Sequence, residues 1–155
     1  MYEPNGGIGR SERREIMEYT ELCKTADEAR KQSYCIYSHF AVGAALLTKD
    51  GRVYTGCNIE NASYPAGICA ERTAFCKAVS DGEREFSAIA ISGGPVGEAP
   101  DDAFPCGVCR QFMNEFVDKD SFEVIIVHAD LSYTTYRFSE LLPYSFGTKN
   151  LKIEP

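Results

Sequence analysis

Two short stretches carry side chains able to share one reaction: Cys69, Glu71 and Arg72 in "YPAGICAERTAF", and Cys106 and Cys109 in "PCGVCR". Residues three apart on a helix lie on one side, so both sulfurs of the second stretch can point at a single metal. Cys69, at the start of another helix, would add a third thiolate. Three thiolates with an open fourth position make a catalytic zinc site, whereas structural sites close that position with another protein ligand. Glu71 follows Cys69 by two residues, which on an ideal helix splays the side chains by about 200 degrees. The two converge only on something at the helix end, where unpaired N–H groups and partial positive charge favour thiolates. Arg72 shares the side of Cys69 and offsets the surplus negative charge that three thiolates leave on a dication. In this reading cysteine holds the metal, Glu71 moves protons, and Arg72 keeps the metal acidic enough for water at the open position to ionise.

Taken singly, these residues are ordinary: a core cysteine, a glutamate favoured near a helix start, a surface arginine. Their combination carries the reading. Cys76 shares the face of Cys69 but lies about 10 Å further along the axis, too far to join it. Cys57, His39 and His128 remain candidates for a closing fourth ligand, and a lone "CxxC" also suits a redox pair. Both histidines sit in strand-like contexts, where a structural role is expected.

The elements that must position these groups follow from the pattern. Apolar positions Ile16, Tyr19, Leu22, Cys23, Ala26 and Ala29 recur at helical spacing, predicting a helix over 11–33. "FAVGAALLTKDGRVYTGCNI" reads as a hairpin turning at Lys49-Asp50-Gly51. "ICAERTAFCKAVSDG" predicts a second helix with Cys69 in its first turn and Gly82 ending it. "FSAIAIS" is a buried strand, and "GGPVGEAPDDAFP" a long irregular loop. Pro105 is expected to open a third helix, "PCGVCRQFMNEFV". Strands "FEVIIVHA" and "TTYRF" and a short helix "SELLPYSF" close the chain. Two strand-helix-strand units after a hairpin predict an α/β fold, a mixed sheet with helices on both faces.

With 155 residues, the chain suits one domain, expected over 11–155 behind a disordered tail of 1–10. No apolar run approaches the roughly 20 residues of a membrane span. The first residues, "MYEPNGGIGRSERR", lack a signal-peptide core, so a cytoplasmic location is expected. Seven cysteines, an odd number, argue against a disulfide framework in that compartment. The net charge of −7, with no basic stripe beyond "RSERRE", disfavours nucleic acid and leaves a small neutral substrate.

"NIENASYPAGICAERTAF" and "PCGVCRQF" closely resemble the short-chain, homotetrameric cytidine deaminases, and the similarity runs from "YSHFAVGAALL" through "ELLPYSFG". The resemblance implies a three-layer α-β-α fold with a mixed five-stranded sheet and one zinc ion per subunit. It makes Cys69, Cys106 and Cys109 the ligands and Glu71 the proton shuttle. Asn58 and Glu60 would hold the ribose 3′-hydroxyl, Phe40 would pack against the pyrimidine, and the Ala70 carbonyl would meet the exocyclic amine. Ala62, Tyr64 and Phe146 would help complete a neighbouring subunit's site. The implied reaction is hydrolysis of cytidine or 2′-deoxycytidine to the uracil nucleoside and ammonia, in pyrimidine salvage. Two departures from the family pattern stand out: the amino-terminal extension and the acidic "GEAPDD" before Pro105.

If 58–60 continues a strand, alternation puts Asn58 and Glu60 on one face, suited to gripping one hydroxyl. A zinc deaminase acting on another base, a nucleotide or a polymer is the alternative within enzymes. A structural zinc module closed by Cys57 or a histidine is the alternative outside them.

Overall fold

The small and branched residues of "FAVGAALLT" suit a strand covered on both faces, and they lie near the middle of the sheet. A computed structural model describes residues 10–153. In it β1 (Phe40–Thr48) pairs antiparallel with both β2 (Val53–Cys57) and β3 (Phe86–Pro95). Next to β3 lies the parallel β4 (Glu123–Val127), and β5 (Tyr133–Arg137) runs antiparallel at the edge, giving the order β2-β1-β3-β4-β5. The expected mixed sheet of five strands is therefore present. β2, β3 and β4 point the same way, and the crossovers between them carry α2 (Ala70–Ser80) and α3 (Gly107–Met113).

Strand alternation sorts the two faces. Ala45, Ala88, Ala90, Ile125 and Val127 meet Leu22, Cys23 and Ala26 of α1 (Arg10–Ala29). Leu46, Ile89, Ile91, Val124 and Ile126 face the opposite cluster, with Phe75 of α2 and Cys109 and Met113 of α3. Alanines beneath α1 let the helix approach closely, and Gly43 completes the fit: a Cβ there would lie 2.0 Å from the Ala26 carbonyl oxygen. On the other face Phe75 gathers Phe86, Phe112, Phe116 and Phe122 at ring-centroid distances of 5.0 to 6.3 Å. Burying such a ring contributes about 1.5–3 kcal/mol.

The same close approach sets the site. Gly56 of β2 lies under the start of α2, where a Cβ would come within 2.3 Å of the Ala70 carbonyl oxygen and 2.5 Å of the Ala74 nitrogen. No side chain fits, so the first turn of α2 rests on strand backbone.

Several boundaries differ from the sequence expectation. The first helix tightens at Arg30 into a 3-10 turn, Arg30–Gln32, instead of running to residue 33. Arg30 turns inward there, buried, with Nε donating to the Ala41 carbonyl at 3.2 Å and Nη1 to Asp27 at 3.1 Å. Its Nη2 donates to the carbonyls of Pro95 and Glu98, pinning the acidic loop. That loop is shorter than expected, because Gly93, Gly94 and Pro95 belong to β3 and Asp101 folds back to pair with Gly93 at 2.7 Å. The closing helix shrinks to α4 (Phe138–Leu141), and α5 (Thr148–Leu151) follows it. The predicted tail falls almost wholly outside the described residues, which begin within it, at residue 10.

Candidate active site

Cys69 and Cys106 each occupy the N-cap of a helix, with extended backbone (ψ 158° and 167°) and no side-chain cap hydrogen bond. Cys69 thus lies one position before the first turn expected to hold it. Pro105 likewise does not open α3: it precedes the cap, and Gly107 is the first helical residue. The extended caps frees each thiol to leave its helix axis sideways while the carbonyl still begins the ladder, accepting from Thr73 N at 3.0 Å and Arg110 N at 2.9 Å.

The three sulfurs converge. Sγ of Cys69 and Cys106 lie 3.7 Å apart, and all three, with Cys109, fall within 4.8 Å of one another. A disulfide needs about 2.05 Å, while two thiolates on one tetrahedral zinc at about 2.3 Å each stand about 3.8 Å apart. The donor set fits zinc. Among the described residues, which include both histidines and all seven cysteines, none supplies a fourth donor to the cluster. Cys76 is exposed on α2. His128 is engaged elsewhere, its Nδ1 at 2.6 Å from Asp102 and its Nε2 at 2.7 Å from Thr134. His39, at φ 54°, shapes a turn.

Glu71 is 4% exposed, and its Oε2 accepts from the Cys109 thiol at 3.7 Å. Burial, with the charge of Cys69 adding to it, raises its carboxyl to about 7, so it can both accept and donate a proton near neutrality. The Cys69 thiol is brought down to about 5, first by the Cys109 thiol and then by Arg72 and Cys106, against burial. Cys109 moves up, first through its interaction with the Cys69 sulfur and then through burial. Arg72 Nη2 donates to the Cys69 sulfur at 3.7 Å, and its buried Nε has no hydrogen-bond partner among the described residues, leaving a donor beside the sulfur cluster. The splay of Cys69 and Glu71 is resolved at the helix end, as spacing requires. Ala70 between them is fully buried.

The expected sugar-side residues sit differently from a continued strand. β2 stops at Cys57, and Ile59 forms isolated bridges to Tyr34 and Ile68. Asn58 and Glu60 flank that bridge and both turn to the 37–42 segment. Asn58 Oδ1 accepts from Val42 N and its Nδ2 donates to the Phe40 carbonyl, each at 2.8 Å. Glu60 accepts from the amides of Tyr37 and Ser38 at 2.9 and 3.2 Å and from the Ser38 hydroxyl. The bridge replaces a regular strand because Glu60 N donates to Tyr34 O and Tyr34 N to Asn58 O.

Glu60 lines a cavity of about 370 Å³ with Tyr37, Ser38, Asn61, Tyr64 and Gly67. Phe40 is 37% exposed, and Tyr64 and Phe146 reach 75% and 60%. Ala62 is also exposed. The Phe146 carbonyl is tied to the end of α3, accepting from Gln111 and from the C-cap Asn114 at 3.0 Å each. Sequence reasoning missed Ser38, Tyr37, Gln111 and Asn114, because their partners lie 22 to 35 residues away through turns that carry no periodic signal.

Residues 17–125 match the family described as the cytidine and deoxycytidylate deaminase zinc-binding region. The chain is 44% identical over 137 residues to cytidine deaminase of Sporosarcina psychrophila, covering 87% of this chain and 96% of that protein. It is likewise 44% identical over 140 residues to a probable cytidine deaminase of Dictyostelium discoideum, covering 87% and 90%. The crystal structure of cytidine deaminase from Burkholderia pseudomallei superposes with a TM-score of 0.74 at 43% identity, over 81% of this chain and 97% of that one.

Proposed function

The chain belongs to the cytidine and deoxycytidylate deaminase family, and from that premise we propose how its residues carry out zinc-dependent hydrolysis of cytidine to uridine and ammonia. Cys69, Cys106 and Cys109 hold the zinc. Bound there, the metal supplies Lewis-acid activation of water at neutral pH. Glu71 takes the proton that water loses and delivers protons to N3 and to the departing amine. Arg72 offsets the charge of the thiolates. The Ala70 carbonyl receives the exocyclic amine, Phe40 packs on the pyrimidine, and Asn58 and Glu60 take the 3′-hydroxyl of ribose or 2′-deoxyribose. The observation that carries this reading is the three-sulfur cluster without a fourth protein donor, next to a buried carboxyl. The same observation disfavours a structural zinc module.

Ala62, Tyr64 and Phe146 complete a neighbouring site in a homotetramer. Supporting this, Tyr34, Ile36, Tyr37, Ile59 and Tyr64 leave large apolar side chains exposed in the single chain. Residues 11–155 act as one domain, working in cytoplasmic pyrimidine salvage on free nucleosides. No helix of the described residues is long and apolar enough to cross a membrane, and the net charge of −7 disfavours nucleic acid. The test is incubation of zinc-loaded protein with cytidine, cytosine, adenosine and cytidine monophosphate. Uridine from cytidine, with cytosine poorer by roughly 10⁴, is expected; absence of uridine would overturn the reading.

A further inference from the structure

We infer that Ser38 is a positioning residue, its hydroxyl locking the Glu60 carboxylate to the Phe40 backbone so that the sugar-binding and base-packing groups act as one unit. The inference rests on the reading of Glu60 as the ligand of the 3′-hydroxyl.

One hydroxyl serves both partners. Ser38 Oγ donates to Glu60 Oε1 and accepts from Phe40 N at 3.1 Å. Glu60 Oε2 accepts from the Tyr37 and Ser38 amides at 2.9 and 3.2 Å. An ionised carboxylate offers about four lone-pair sites; with these contacts made, Glu60 keeps one for a hydroxyl donor. The turn that presents these donors is closed by His39 N donating to the Cys35 carbonyl at 2.9 Å. His39 itself takes a left-handed φ of 54°, a conformation that histidine adopts more readily than most residues. The turn is fastened to the 58–60 segment on its other side by the Tyr34 pairings. Phe40 is then gripped at both ends of its backbone: its N–H by Ser38, its carbonyl by Asn58 at 2.8 Å. A carboxylate on a mobile side chain would have to be ordered by each substrate, whereas this one is already held, and preorganisation of that kind is gained as affinity.

The experiment compares kcat/KM for cytidine and 3′-deoxycytidine in the wild type, Ser38→Ala, Ser38→Thr and Glu60→Ala, with zinc content and Tm measured for each. The wild type is expected to prefer cytidine by at least about tenfold. Ser38→Ala should shrink that preference to within about threefold, chiefly by raising KM for cytidine, with zinc stoichiometric; Ser38→Thr, which keeps a hydroxyl, should restore most of it. An unchanged preference in Ser38→Ala, or equal losses on both substrates, overturns the inference. If the preference collapses in Glu60→Ala but not in Ser38→Ala, Glu60 stands and only Ser38 falls. If it survives in Glu60→Ala, the sugar assignment fails and takes Ser38 with it.

Discussion

Cys69 and Cys106 are 37 residues apart in the chain, yet their sulfurs lie 3.7 Å apart, each at the N-cap of its helix. The sheet produces this meeting. α2 follows β2 and α3 follows β3, and those strands run in the same direction, so both helices begin at the same end of the sheet. Ligand sites of open α/β sheets form there, outside the carboxyl ends of strands. With two helix starts at one point, thiolates gain unpaired N–H groups and positive dipole ends from both sides.

Glu71→Gln separates proton transfer from metal binding. The amide keeps the shape of a side chain that is 4% exposed but cannot accept a proton. Zinc content is expected to stay stoichiometric by elemental analysis while kcat falls by about 10²–10⁴. Retention of a tenth of the wild-type rate would remove Glu71 from its role.

Gly56→Ala tests the seating of α2. Its Cβ would come 2.3 Å from the Ala70 carbonyl oxygen, so the helix carrying Cys69 and Glu71 must shift. Destabilisation of about 1–3 kcal/mol in urea unfolding is expected, together with weaker zinc retention against a chelator. Wild-type values in both measurements would show that the strand and helix can part without consequence.

The pH dependence of sugar discrimination follows from Glu60. The Ser38 hydroxyl, with the Tyr37 and Ser38 amides and against burial, holds its carboxyl below the usual range. The ionised carboxylate is the form that accepts the hydroxyl, and a pKa held below the ordinary carboxylate value of about 4.3 keeps that form through the weakly acidic range, to be lost only as pH falls through the lower value. The ratio of kcat/KM for cytidine over 3′-deoxycytidine should therefore stay flat from about pH 8 to about pH 5 and drop only below about pH 4. Taking a ratio cancels the titration of Glu71. A fall between about pH 7 and pH 5 would contradict the assignment.

The sequence made the chemistry more legible than its frame. Cys69, Glu71, Arg72, Cys106 and Cys109 could be read because helical spacing is local and their residue types are few. "FSAIAIS" likewise announced a buried strand, and in the fold its Ala90 faces one cluster while Ile89 and Ile91 face the other. What stayed hidden depends on contacts made only once the chain has folded. Pro105 resembled a helix opener, but Cys106 had to stay extended to turn its sulfur toward Cys69. Asn58 and Glu60 resembled strand residues until Tyr34 paired alongside them. Arg30 continued a helical pattern but was drawn inward by the carbonyls of Ala41, Pro95 and Glu98. Nothing local distinguishes Ser38 from any turn serine.

X-ray absorption at the zinc edge addresses the three-sulfur cage directly. Three sulfurs at about 2.3 Å and one oxygen at about 2.0 Å that changes when a substrate analogue is added is the expected spectrum. Four protein donors, or fewer than three sulfurs, would contradict it.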